Sequence, residues 1–268
     1  MGSATVTHIR LWIALPAIII VHFLFTGSLV PRDLGSIPFL YIAVSGFVGF
    51  CLADLFIFRA FVEIGARETL VILTLSPIFS AVISFIFLNE RLLIVQALGI
   101  IGTIAGVMWV VFEKGSPQEK KKGLLNLGVL YAFFGAFAQA VAMVLSKFGL
   151  QEGMHPVSAN LIRIIFGLIG LIIFALLRGQ FVNDFRKMKD RKALTFVTAG
   201  ALVGPVLGII LTLYALTMAP VGIVTALMQI SPVMLLPIDR FLFKKTISLG
   251  AVGGTFLAIA GAMVLILF

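Results

Sequence analysis

The side chains best placed to do chemistry in this sequence are ionisable groups inside apolar segments. Hydrocarbon penalises charge there, so such groups mark pathways, relays or pairs. Asp54 lies past the middle of its segment, too deep to reach an interface comfortably. A carboxylate in that place could carry a proton, and its plainer role is a buried ion pair with a neighbouring helix. Arg59 and Glu63 follow at i, i+4 spacing and can pair on one helical face. Lys147 and Arg163 flank one short loop, each about one to two turns away, so both can point into one vestibule. Asn160 shares a face with Arg163, Gly167 and Gly170, which predicts an amide near the guanidinium. Fixed cations select carboxylate or phosphate ligands; the alternative for both is snorkelling to headgroups. Gln139 forms a stripe with Met143 and Ser146, and Gln229 lies just before the Ser231-Pro232 pair. With Tyr214, these residues make the expected substrate-binding set: Asp54, Arg59, Gln139, Lys147, Asn160, Arg163, Tyr214 and Gln229.

Nothing in the sequence points to catalysis. It has no His-Glu-x-x-His pair, Gly-x-Ser-x-Gly elbow or Walker loop. His8, His22 and His155 are scattered, and read as hydrogen-bonded structural histidines or headgroup contacts rather than metal ligands. The single cysteine, Cys51, excludes an intrachain disulfide and a cysteine zinc site. No cofactor is expected.

The elements that position these residues follow from composition. Of 268 residues, 61% are apolar and 12% charged, with a mean hydropathy of +1.18. A soluble domain of this size could not bury so much apolar surface, so the chain reads as an all-α polytopic membrane bundle. About nine stretches can span: 8–28, 37–61, 69–88, 92–112, 124–147, 157–177, 193–217, 221–243 and 247–267. The runs are continuous rather than alternating, which excludes a barrel. The net charge of +9 sits in short loops beside the spans, where anionic lipid reads it, so nucleic acid is not an expected partner.

Sliding the chain on itself by about 155 residues overlays Val48-Gly49 on Val203-Gly204, Ser76-Pro77 on Ser231-Pro232, and Ala105-Gly106-Val107-Met108 on Ala260-Gly261-Ala262-Met263. Tyr214 then falls on Arg59 and Gln229 on Thr74, while Arg10 meets Arg163 with a shift of two. This divides the chain into a first repeat over 1–113, a basic linker over 114–123 and a second repeat over 124–268. Four spans precede the linker and five follow it, so helix 124–147 has no counterpart in the first half. An odd number of spans per repeat inverts one copy relative to the other. Where the counterpart would lie, an open groove exposing Arg10, Ser45 and Gly49 is expected. Glycine series at 99/102/106, 200/204/208 and 250/254/261 read as helix-packing faces.

The segment from Leu52-Ala53-Asp54 through Leu75-Ser76-Pro77 to Asn89-Glu90-Arg91-Leu92 resembles the EamA repeat of the drug/metabolite transporter superfamily. Ser146-Lys147, Asn160-Leu161-Ile162-Arg163 and Ile230-Ser231-Pro232 continue the resemblance in the second copy. It implies two inverted five-helix repeats, the first here lacking its first helix, around a cavity for small metabolites such as amino acids. It also implies basic residues at the positions of Lys147 and Arg163. The expected function is secondary transport, as an exporter, in the cytoplasmic membrane. The partners expected are a small-molecule substrate and membrane lipids, with a homodimer left open. The alternative is a membrane scaffold derived from a transporter. Loop charges put the N-terminus of the chain in the cytoplasm and the C-terminus outside; the resemblance implies the reverse for the C-terminus.

Overall fold

The computed structural model describes residues 3–31, 35–113, 127–179, 181, 191–230, 233 and 249–267. Among them, every regular element is helical: α1 (Ser3–Thr26), α2 (Ser36–Gly46), a π-helical segment π1 (Phe47–Ala53), α3 (Asp54–Glu63), α4 (Ala66–Leu73), α5 (Leu75–Leu88), α6 (Ile94–Glu113), α7 (Leu127–Gln151), α8 (Pro156–Leu177), α9 (Arg191–Ala201), a second π segment π2 (Leu202–Gly208), α10 (Ile209–Met218), α11 (Val221–Met228) and α12 (Leu249–Leu267). Eight helices among the described residues are long and apolar enough to cross a membrane. The ninth expected stretch, 221–243, begins as α11 and lies almost wholly outside the described residues from 231 on. Ser231-Pro232 and the basic linker lie outside them too.

Among the described residues, a 155-residue offset recurs in several elements. α2, π1, α3 and α4 return 155 residues later as α9, π2, α10 and α11 with matching bounds, and α12 begins at the same offset from α6. The π segments coincide in detail. The Asp54 N–H bonds Gly49 O, five residues back, and the Ile209 N–H bonds Gly204 O in the same way. Such wide turns are rare and gather at functional sites.

The described chain divides into two compact units, Met1–Arg59 with Val141–Met218, and Ala60–Ala140 with Ala219–Phe268. In the first, Leu11, Ala14 and Ile18 of α1 meet Leu161, Ile164, Leu168 and Leu171 of α8 around Phe50 and Cys51 of π1. Small residues allow the close approach on which packing in lipid depends. A Cβ at Gly46 would fall on the Arg163 backbone, 2.8 Å from its carbonyl carbon. One at Gly167 would lie 2.5 Å from Phe50 Cβ, and one at Gly170 2.6 Å from the Phe47 ring.

In the second unit α6 crosses α12 through glycine. A Cβ on Gly106 would lie 2.6 Å from Gly254 O, and one on Gly261 2.8 Å from Gly99 O. Gly99 and Gly254 are repeat equivalents, as are Gly106 and Gly261. The contact is therefore reciprocal and antiparallel, the geometry of a local two-fold axis, and it shows the two copies of this helix inverted.

Two expectations need correction. Among the described residues nothing lies within 4 Å of a Cβ added at Gly200 or Gly204, whereas Gly99, Gly106, Gly254 and Gly261 meet a neighbouring helix, so the first two do not form the expected packing face there. Nor do Arg10, Ser45 and Gly49 line an exposed groove. Ser45 is fully buried, a Cβ on Gly49 would be 3.1 Å from both Ala142 and Arg163, and Arg10 is engaged by Asp54. The reason is the glycine-lined seam that brings α8 onto α2 and π1.

Candidate functional site

α8 organises the polar residues of the first unit. Pro156 is pre-set for a first helical position and needs no N–H there. His155 caps the helix, its Nδ1 accepting the Val157 N–H at 3.3 Å. Because Nδ1 accepts, the ring proton is on Nε2, which donates to Tyr214 Oη at 3.1 Å. Burial and then the neighbouring His22 lower the pKa of His155 below its usual 6.5. His22 itself is fully buried and ties α1 to α8, donating from Nδ1 to Ser28 O at 2.8 Å and accepting from Ser158 Oγ at 3.0 Å.

One turn into α8, Asn160 is fully buried and donates its amide to Pro205 O at 2.9 Å in π2. Arg163, 1% exposed, turns to the other side of the unit. Its guanidinium donates to Ser146 Oγ of α7 and stacks 5.5 Å from the centre of the Phe50 ring in π1. Thus α8 sends an amide to one π segment and a cation to the other.

Asp54 opens α3 where π1 ends, and it pairs with Arg10 of α1. The Arg10 guanidinium lies 5.2 Å over the Phe58 ring, and Asp54 also interacts electrostatically with Arg163. Lys147, beside Ser146, donates to Leu216 O in the last turn of α10. Helix-end carbonyls lack intrahelical partners and carry partial negative charge, so an ammonium suits them.

The first unit therefore gathers Asp54, Lys147, Asn160, Arg163 and Tyr214, while Arg59 is exposed on the same unit. Asn160 reaches a π carbonyl rather than the Arg163 guanidinium, and Lys147 and Arg163 are held by different helices. Their burial differs from a snorkelling arrangement. Gln139 and Gln229, both half-buried, belong to the second unit. There Gln229 donates to Leu73 O, and Glu90 accepts the Val221 N–H at 2.8 Å at the start of α11.

A model of the EamA-like transporter family matches residues 1–112 and 126–267. The chain belongs to this family. It is an integral, multi-pass membrane protein of the EamA-like type, with one family match on each side of the basic linker. An uncharacterized transporter of Bacillus subtilis, YyaM, is 26% identical over 172 residues, 62% of this chain and 54% of that protein. The chain thus aligns with about half the length of that curated relative. A solved crystal structure of a protein without a stated role matches with a TM-score of 0.74 at 19% identity, covering 98% of this chain and 87% of its own. The two share a fold.

The role of Arg10 and the two π segments escaped the sequence reading. Arg10 was expected as a repeat mate of Arg163 and as a groove residue, not as the partner of Asp54; the signal that could have found the pair is that Asp54 required a cation on a neighbouring helix. Among the described residues, no group of three or more His, Cys, Asp or Glu side chains is arranged to hold a metal.

Proposed function

We propose that this EamA-like protein is a secondary active transporter that exports small metabolites such as amino acids or related compounds across the cytoplasmic membrane. In this reading two repeats, 1–113 and 124–268, are joined by the basic linker 114–123. The substrate-binding set of the sequence reading contributes through its first-unit members, with Lys147 and Arg163 favouring a substrate that carries a carboxylate. The observation that carries the reading is the burial of these two cations inside spans, at 8% and 1% exposure, in a chain of a transporter family. Burying charge within a membrane is costly, and its usual return is a pathway. The sequence has no nucleotide-binding loop, so an ion or solute gradient is the proposed driving force.

Purified protein in liposomes loaded with unlabelled amino acid should accumulate the labelled compound by counterflow. Arg163→Gln should lower the initial rate by about tenfold or more, as expected when a charged hydrogen-bonding partner is lost. Counterflow indistinguishable from empty liposomes across amino acids and simple carboxylates would overturn the reading and favour the scaffold alternative.

A further inference from the structure

The guanidinium groups of Arg10 and Arg163 share an unusual condition. Each is held through an outer nitrogen, Arg10 by Asp54 and Arg163 by Ser146. Each leaves its Nε buried and without a hydrogen-bond partner. Buried N–H donors are almost always paired, and more strictly so when charged. On each guanidinium the unfilled Nε–H belongs to the donor edge that can take a carboxylate, and both arginines belong to one unit.

Among the described residues, Asp54 is the carboxylate that acts on both arginines, through an ion pair with Arg10 and electrostatically with Arg163. Arg10 comes from α1, Arg163 from α8, and Cys51, the other titratable group acting with Asp54, from its own span. An anion arriving at the guanidinium edges meets Asp54 as a like charge and a competitor. A proton on Asp54 removes both obstacles and leaves the two arginine charges to the ligand.

We propose that Arg10 and Arg163 form a subsite for the carboxylate of an anionic ligand, and that binding there is coupled to uptake of one proton by Asp54. This deepens the transport reading and rests on it: the ligand is the acidic end of the substrate, and the coupling ion is a proton. The proton moves from water to an Asp54 oxygen as the anion takes Arg10 from it. A monoanion and its proton together bring no net charge to the site, so membrane voltage would not drive this step.

The test uses the full chain in detergent, with acetate and benzoate as probes and tetramethylammonium as the opposite-charge control. Calorimetry in two buffers of different ionisation heat reads the protons taken up per anion bound. In the pH range where Asp54 is ionised, uptake should approach one, and affinity should fall about tenfold per pH unit as pH rises. Asp54→Asn should bind both anions with uptake near zero and no pH slope. Arg10→Gln and Arg10→Lys, which both remove the Nε edge, should weaken binding about tenfold or more.

An affinity independent of pH in the unmodified chain, or weaker anion binding in Asp54→Asn, would overturn the proposal. If Asp54→Asn does not fold, proton uptake by the unmodified chain decides alone. Counterflow without proton-linked anion binding would sink the subsite and leave transport standing. Proton-linked binding without counterflow would do the opposite.

Discussion

Gln229 donates its side-chain amide to the backbone carbonyl of Leu73, the acceptor that Pro77 leaves without a helical partner. Proline at position i has no N–H to offer the carbonyl at i−4, and a freed carbonyl within a membrane must find another donor. The chain supplies that donor from the C-cap of α11. Gln229 was expected to touch substrate, and the described contact gives it a structural task.

This pairing predicts a double-mutant cycle. Gln229→Ala should cost about 1–2 kcal/mol of unfolding free energy by leaving the Leu73 carbonyl unpaired. In a Pro77→Ala background the helix can close on Leu73 itself, and the same substitution should cost much less. Equal costs in both backgrounds, measured by denaturant unfolding in micelles, would show that the amide does not serve that carbonyl.

Two glycines should respond in opposite directions. Gly46→Ala places a methyl group against the Arg163 backbone and should cost about 1–3 kcal/mol, as overpacking does. Gly200→Ala meets open space within a helix and should stabilise by about 0.4–1 kcal/mol. Melting temperatures of the two purified variants, compared with the parent, check both.

Glu90 should act as a remote cap. Its carboxylate receives the Val221 N–H where α11 starts, satisfying an orphan donor and complementing the helix dipole. Glu90→Ala should lower stability by about 0.5–1 kcal/mol, and Glu90→Gln by less, since an amide oxygen still accepts. Thermal unfolding of the pair distinguishes a cap from a passive loop residue.

His155 makes stability depend on pH. Its pKa in the fold lies below the unfolded value near 6.5, so the unfolded chain binds more protons in the window just under 6.5. Unfolding free energy should therefore rise with pH through that window and, for this group, level off above it. Protonating Nδ1 also removes the acceptor of the Val157 N–H. Replacing His155 with Asn, a capping residue that does not titrate, should flatten the melting-temperature profile between about pH 5 and 7. A profile as steep as the parent's would assign the dependence elsewhere.

Much of the fold was legible because a membrane forces a plain code: long apolar runs, tight polar turns, and most charge kept to loops. The turns themselves suit their residues, as at Gly153, whose φ of +87° suits glycine, and at Asn89, whose φ of +53° is the left-handed value asparagine tolerates. The site was legible only in its charged members. Asp54 announced a need for a cation, yet four-residue and seven-residue patterns say nothing about which helix supplies it, and Arg10 lies 44 positions away. The π segments were hidden because a five-residue hydrogen-bond step leaves hydropathy unchanged. Gly200 and Gly204 misled because their spacing equals that of glycines that do pack.

The two π segments carry information about descent. An α-helix acquires such a turn when one surplus residue is inserted and the helix swells locally to absorb it. Both copies hold the swelling at the same seven positions, one containing Phe50 and the other Pro205. The most economical history puts the insertion in a single ancestral gene, before that gene doubled. Side chains at these positions then drifted apart, from an aromatic ring to an imino acid, while the count of residues did not. What was inherited through the duplication is a register.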